Sequence, residues 1–216
     1  MPLPNHLKAR KNPRQTRARV TMDAILEATA HIVLRHGYDG MTTNHVAERA
    51  GVSIGSLYQY FPSKEALVAA VLQKNADDNF AVIANALEKA AGLPLAEAVA
   101  IVAEAMAQLH RDNLPWHGAI AGCSAKIDAN EWEAELNERI EALTIAFLER
   151  YSADLRPGID LNVAVLVIRN IGHSVFEHAV LNDQELFDDS RVTDEIASAT
   201  LAYLTSPSPR VSSGAP

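Results

Sequence analysis

Residues 42–61 read TTNHVAERAGVSIGSLYQYF, and this stretch decides the fold. Thr42 or Thr43 can cap a first short helix, Gly51 stops it, and Ser53 can cap a second. The stretch therefore predicts two helices joined by a turn of three or four residues that contains glycine. Such a pair is a helix-turn-helix, whose second helix projects outward and enters a groove of DNA.

The predicted second helix contains a glycine and two tyrosines. Gly55 in a helix interior is less favourable than alanine by about 1 kcal/mol, which close approach of the backbone to a groove wall or a phosphate would offset. If they are exposed, Tyr58 and Tyr60 combine a hydroxyl that can bind phosphate with a ring that packs on sugars or a thymine methyl; otherwise one of them belongs to the core. Lys64, just beyond, can reach a phosphate as a point charge.

Charge is distributed unevenly along the 216 residues. Residues 1–75 carry ten Lys and Arg against five Asp and Glu, a net +5, and the remaining residues carry −13, which gives the total of −8. Six of the basic side chains lie in residues 1–20, where there is no acid. This composition suits a flexible basic arm that lies along a polyanion, or a solvated disordered tail.

Apolar residues recur at helical spacing along most of the chain, and no long stretch alternates as a half-buried strand does. We therefore predict an all-α fold with an N-terminal three-helix helix-turn-helix domain and a C-terminal helical domain. The expected divisions are a basic flexible arm at 1–20, the helix-turn-helix domain at 21–66, the helical domain at 67–205 and a disordered tail at 206–216. The helices predicted outside residues 42–61 are 21–36, 63–91, 95–111, 115–126, 130–153, 159–181 and 194–204.

Several functional classes are not expected. No stretch approaches the 18 apolar residues of a membrane span, the N-terminus lacks the apolar segment of a secretory signal, and Cys123 is the only cysteine, so we expect a cytoplasmic protein without a membrane partner. No nucleophile elbow, phosphate-binding glycine loop, HExxH pair or carboxylate constellation stands out, so neither catalysis nor a cofactor is predicted.

The segment from Thr43 through Leu67, TNHVAERAGVSIGSLYQYFPSKEAL, resembles the N-terminal DNA-binding domain of the TetR family of bacterial transcriptional regulators. The resemblance implies a homodimer whose helix-turn-helix units occupy successive major grooves of a palindromic double-stranded DNA operator, usually repressing transcription. It implies phosphate contacts by Thr43, Tyr60 and Lys64. It also implies contacts near base edges by Asn44, Ile54, Gly55, Ser56 and Tyr58.

The same resemblance implies ligand binding and dimerisation by the C-terminal domain. The inducer pocket would lie among the middle helices, and the last two helices, near 160–181 and 191–204, would form the dimer interface. Candidates for lining the pocket, each otherwise an ordinary core or surface residue, are His110, Trp116, His117, Cys123, His173 and Phe176. Arg169 and Asn170 are either a buried anchor for the small-molecule effector or an interface pair. The alternative function is a DNA-binding architectural or regulatory protein without a small-molecule effector.

Overall fold

A computed structural model describes residues 3–10, 16–113, 123–182 and 190–207. Within these ranges every regular element is helical, which confirms the predicted all-α class. A short 3-10 helix at Asn5–Leu7 precedes the α-helices. These are α1 (Thr16–Gly40), α2 (Thr43–Arg49), α3 (Ile54–Tyr60), α4 (Lys64–Ala90), α5 (Leu95–Asp112), α6 (Cys123–Lys126), α7 (Asn130–Glu149), α8 (Leu161–Asn182) and α9 (Ser190–Thr205).

The start of α1 differs from the sequence prediction. The helix begins at Thr16 rather than Thr21, and the hydroxyl of Thr21 donates a hydrogen bond to the carbonyl of Arg17 one turn earlier. Residues 16–20 contain no glycine or proline to stop a helix, so α1 extends into the segment that was expected to be an arm. At its other end α1 breaks at Gly37, the residue predicted to terminate it, whose φ of 68° is left-handed.

The contacts within the chain define two compact units. Unit 1 consists of Met1–Phe80 with Asp112–Glu138, and unit 2 consists of Ala81–Arg111 with Arg139–Pro216. This division does not follow the expected boundary at residues 66 and 67. That boundary separates a DNA-binding region from a ligand-binding region and stays a prediction.

The core of unit 1 joins the helix-turn-helix to its neighbours. Ile25 of α1, Val46 of α2, Leu57 of α3 and Leu67 of α4 are fully enclosed in one apolar cluster. Because α2 and α3 have seven residues each, too few to be stable alone, this packing is what holds them. Cys123, Ile127 and Ala129, in and after α6, belong to the same cluster.

Residues 3–10, which we call the N-terminal strap, also belong to unit 1. Leu3 and Leu7 are 4% and 0% exposed and lie in the apolar cluster of α1, α2, α3 and α4. The strap therefore differs from the flexible arm expected over residues 1–20. The basic composition of this segment concealed two leucines that act as apolar anchors.

Unit 2 has a separate core, which contains Phe147 and Leu148 of α7, Val165 of α8 and Leu204 of α9. The α8 sequence contains the apolar run VAVLVI at residues 163–168. Within this chain α8 buries one face and leaves Val163 and Leu166 about half exposed, at 50% and 53%.

Candidate nucleic-acid interface

Local hydrogen bonds set the two helices of the helix-turn-helix. Thr42 is the N-cap of α2, and its hydroxyl accepts from the backbone N–H of His45 at 3.2 Å. Gly51 ends α2 with a φ of 67°: its N–H binds the carbonyl of Glu48 at 3.1 Å, and the next N–H, of Val52, binds that of Ala47 at 3.0 Å. This pair of bonds is a Schellman motif, which favours glycine at the left-handed position.

The cap of α3 follows immediately. The Ser53 hydroxyl accepts from the backbone N–H of Ser56 at 3.0 Å, and the two hydroxyl oxygens are 2.8 Å apart. Four residues thus separate α2 from α3, as the sequence predicted. Ser56 is half-buried and its hydroxyl is already engaged with the cap, whereas the base-edge role implied by the resemblance would require that hydroxyl to face outward.

One face of α3 is turned to solvent. Leu57 is fully buried and fixes the helix in the core of unit 1, while Ile54 and Tyr58 are each 39% exposed and Gly55 is exposed as well. On α2, Asn44 is exposed. The structure therefore leaves four of the five residues expected near base edges accessible to a partner.

Nothing within unit 1 requires a glycine at position 55. Its φ is not left-handed, and a Cβ added there would meet only the Ser53 hydroxyl, at 3.9 Å, which is an ordinary contact. Glycine nevertheless costs helix stability at this position. The space above Gly55 is open to solvent, which leaves the backbone of α3 accessible to the close approach of another molecule.

The residues expected to contact phosphate are arranged around the ends of α2 and α3. The Thr43 and Tyr58 hydroxyl oxygens are 3.1 Å apart, so the first residue of α2 is joined to the exposed face of α3. Tyr60 is half-buried and its ring packs against the core of unit 1. Its role is therefore partly structural.

Lys64 lies at the start of α4, beside an aromatic ring that the sequence reading did not include. Its ammonium is 4.3 Å from the ring centroid of Tyr38, a cation–π contact, and the Tyr38 hydroxyl donates to the carboxylate of Glu65 at 3.2 Å. Burial is the main cause that raises the pKa of Tyr38, and the negative charge of Glu65 is the second. The pKa of Glu65 is lowered first by a hydrogen bond from its own backbone N–H and then by one from Ser63.

A second lysine approaches the same ring from α6. The Lys126 ammonium is 5.5 Å from the ring centroid of Tyr38 and pairs with Asp39 at 2.7 Å. This hydrogen bond lowers the pKa of Asp39. Lys64 and Lys126 thus form a basic pair around one tyrosine, and sequence reasoning missed it because Lys126 and Asp39 are 87 positions apart.

The residues expected to line an effector pocket fall into three groups. His110 of α5 stacks on Phe176 of α8 at 4.8 Å between ring centroids, and His173 lies 5.8 Å from His110, so these three come together in unit 2. His110 is 9% exposed, and its Nδ1 is 2.8 Å from the carbonyl of Met106.

Of the other three candidates, only Cys123 is described by the structure, and it lies elsewhere. Cys123 is buried in the core of unit 1, where burial raises the pKa of its thiol. Trp116 and His117 lie outside the described residues. An open cavity of about 320 Å³ is also in unit 1, lined by Leu3 and Leu7 of the N-terminal strap together with residues of α1 and α4, and none of the four candidates that the structure describes lines it.

Arg169 and Asn170 lie on the exposed side of α8. Arg169 pairs with Glu141 at 3.0 Å, and the Asn170 amide donates to the carbonyl of Leu166 at 2.7 Å. Because both residues are exposed, the interpretation as a buried anchor is wrong, and the interpretation as an interface pair stays a prediction.

Neither a membrane-spanning helix nor a metal-binding cluster is found in the described part of the chain. No helix there is long and apolar enough to cross a bilayer. No group of three or more His, Cys, Asp or Glu side chains in those residues is arranged to hold a metal ion.

Comparison with known proteins bears on both units. A family model described as "Bacterial regulatory proteins, tetR family" matches residues 25–71, and one described as "Tetracyclin repressor-like, C-terminal domain" matches residues 94–204. The HTH-type transcriptional repressor KstR of Mycolicibacterium smegmatis is 48% identical over 48 residues, 22% of this chain and 24% of that protein. The HTH-type transcriptional regulator RutR of Escherichia coli K12 is 46% identical over 54 residues, 25% and 26% of the two chains. The matched segment thus spans about a quarter of the length of these relatives.

Solved structures are similar over most of the chain. A TetR-family regulator from Mesorhizobium loti superimposes with a TM-score of 0.72 at 20% identity, covering 87% of this chain and 98% of the other. FadR from Bacillus subtilis, crystallised with stearoyl-CoA, gives 0.67 at 16% identity, covering 85% and 99%. At these identities the likeness is one of fold. Because the C-terminal family model alone matches more than half of the residues, the chain belongs to the TetR family of bacterial transcriptional regulators.

Proposed function

We propose that this protein is a ligand-responsive transcriptional repressor that binds a palindromic DNA operator as a homodimer and is released by a small-molecule inducer. The observation that carries the proposal is the exposed face of α3, where Ile54, Gly55 and Tyr58 project from a helix whose Leu57 is fully buried. A rigidly held, outward-facing second helix is the part of a helix-turn-helix that enters the major groove.

The polar groups around α3 support a consistent docking geometry. Thr43, Tyr60 and Lys64 contact phosphates, which fix position without reading sequence. Asn44, Gly55 and Tyr58 approach base edges. The side chain of Ile54 has no hydrogen-bonding group, so it reads thymine methyls by apolar contact.

A homodimer is supported by the exposed face of α8. Val163 and Leu166 are half exposed there, at 50% and 53%. A second copy of α8 and α9 covers these side chains in the proposed dimer. Two α3 helices of such a dimer stand about 34–36 Å apart when they occupy successive major grooves.

The inducer acts by changing this separation. In the proposal it binds at the cluster of His110, Phe176 and His173 in unit 2. The ligand binds more tightly to a dimer whose α3 helices are mispositioned than to the DNA-bound dimer, so it lowers the affinity for the operator. DNA lowers the affinity for the ligand by the same factor. No enzymatic step is required, and the expected compartment is the cytoplasm.

A titration with labelled DNA tests the role of α3. Wild type is compared with Ile54→Glu on the fragment upstream of the protein's own gene and on a scrambled fragment of the same composition. A negative charge against the groove should weaken binding at least about tenfold. Val82→Glu is the matched control, because Val82 is 40% exposed on α4, outside the proposed docking surface. Equal binding by the wild type and the Ile54→Glu variant would refute docking through α3.

A second experiment separates the repressor from the alternative of a DNA-binding protein without an effector. A thermal-shift screen covers lipophilic compounds and long-chain acyl-CoA, the latter because the structurally similar FadR was crystallised with stearoyl-CoA. A compound that raises Tm must also release the labelled DNA. Palindrome binding that no stabilising compound reverses would favour the alternative.

A further inference from the structure

The N-terminal strap contacts the end of α3 that the helix itself leaves unsatisfied. The last four carbonyls of any α-helix have no partner within the helix, and in α3 these are the carbonyls of residues 57–60. The carbonyl of Leu57 accepts a hydrogen bond from the backbone N–H of Phe61 at 2.9 Å. Two of the others, Tyr58 and Tyr60, accept hydrogen bonds from Arg10 of the strap.

Arg10 binds α3 through both its backbone and its side chain. Its backbone N–H donates to the carbonyl of Tyr60 at 2.7 Å, and its guanidinium donates to the carbonyl of Tyr58 at 3.1 Å. A cationic donor at a helix C-terminus also interacts favourably with the negative end of the helix dipole. These two bonds therefore satisfy two of the last four carbonyls of α3, a helix of only seven residues.

The strap is itself fixed by the two leucines that it inserts into unit 1. Leu7 is fully buried and Leu3 nearly so, and both lie in the same apolar cluster as Leu57 of α3. An open cavity of about 320 Å³ lies beside these leucines, between the strap and residues of α1 and α4. Its position therefore depends on the leucine anchors and on Arg10.

We propose that the N-terminal strap is a positioning element for the DNA-reading helix, with Arg10 as a positioning residue that holds the C-terminal turn of α3, and not a flexible arm that follows the DNA backbone. The inference rests on the proposed function for the importance of α3. It goes beyond that function because it assigns a role to a segment that precedes the helix-turn-helix.

Hydrogen exchange on the full chain without DNA tests the strap directly. Arg10→Ala should raise the exchange rates of the amides in residues 57–61 between about two- and tenfold, the range that one net hydrogen bond gives. Lys8→Ala is the matched control, because its ammonium binds Asn5 of the strap, at 3.1 Å. This substitution removes a positive charge from the strap two residues before Arg10, and it should leave the exchange rates in α3 unchanged. Wild-type exchange in Arg10→Ala overturns the proposal.

DNA binding distinguishes positioning from phosphate contact. If Arg10 positions α3, Arg10→Ala lowers the ratio of operator to non-specific affinity about two- to tenfold, while the slope of log K against log salt stays that of wild type. If Arg10 neutralises a phosphate, the slope instead falls by about one and the ratio is unchanged, which contradicts the proposal. The exchange measurement needs no DNA, so failure of the strap and failure of DNA binding are distinguishable.

A second substitution tests the anchor. Leu7→Ala should loosen the strap and raise exchange in residues 57–61 as Arg10→Ala does, with an added loss of Tm from the buried site. If Leu7→Ala does not fold, Arg10→Pro removes the N–H that binds the Tyr60 carbonyl and leaves the buried leucines intact. Unchanged exchange in whichever of these variants folds would also overturn the proposal.

Discussion

At the scale of single residues, Gly55 separates stability from function. It is exposed, lies inside a helix, and has room for a Cβ, so nothing in its own unit favours glycine. The proposed contact with a groove wall accounts for it, since a methyl group there would hold the backbone away from DNA. Gly51 differs, because its left-handed φ of 67° is required for the turn itself.

Gly55→Ala should therefore stabilise the protein and weaken DNA binding. The expected gain in the free energy of unfolding is at most about 0.5–1 kcal/mol, the helix-interior difference between alanine and glycine, because Gly55 lies in the first turn of α3. Gly51→Ala, the control, should lose stability because alanine is strained at that φ. Urea unfolding and DNA titration of both variants check this. A Gly55→Ala variant with wild-type operator affinity would rule out close approach at this position.

Lys64 is expected to contribute charge and no sequence information. Lys64→Ala should weaken binding to all DNA sequences alike and reduce the slope of log K against log salt by about one. Lys74→Ala is a suitable control, because Lys74 lies on the same helix and pairs with Asp78 at 2.6 Å on an exposed surface. If the two variants show the same salt slope, Lys64 does not contact a phosphate.

At the scale of elements, the start of α4 is tied to the end of α1 by the Tyr38–Glu65 hydrogen bond. The pKa of Glu65 is lowered in the folded chain, so its contribution to stability is present above the unfolded pKa of 4.5 and is lost as pH falls through the folded value. Glu65→Gln should lower the free energy of unfolding by less than about 1 kcal/mol near pH 7. Urea unfolding at that pH and near pH 3 tests the prediction, and a difference that persists unchanged in acid would contradict it.

The elements also show how far local sequence signals reach. The ends of α2 and α3 follow from Thr42, Gly51 and Ser53, because caps and left-handed glycines act within one turn of the chain. The N-terminal strap could not be predicted in this way. The burial of Leu3 and Leu7 depends on the packing of α1 and α4, and the surrounding basic residues masked it.

The candidate DNA surface was predictable in part for the same reason. Ile54 and Tyr58 are four residues apart, so helical spacing places them close together on α3, where each is 39% exposed. The cation–π contacts of Lys64 and Lys126 with Tyr38 join α1, α4 and α6, so only the tertiary structure reveals them.

At the scale of the whole molecule, the two copies of the chain in the proposed dimer must meet through the exposed face of α8. Leu166→Glu should separate them, because it places a charge on a side chain that is 53% exposed here and covered in the dimer. Light scattering should show a monomer, and operator affinity should fall because two linked half-sites no longer bind together. Val82→Glu again serves as control. A Leu166→Glu variant that remains dimeric would exclude this face as the interface.

Footprinting on DNA upstream of the protein's own gene tests the central claim most directly, that two copies of α3 enter successive major grooves. We expect two protected half-sites related by a palindrome, with centres about 10–10.5 base pairs or a multiple of this apart. Gly55→Ala should weaken both half-sites together. Protection of a single unrepeated site, or no protection even at low salt, would contradict the account.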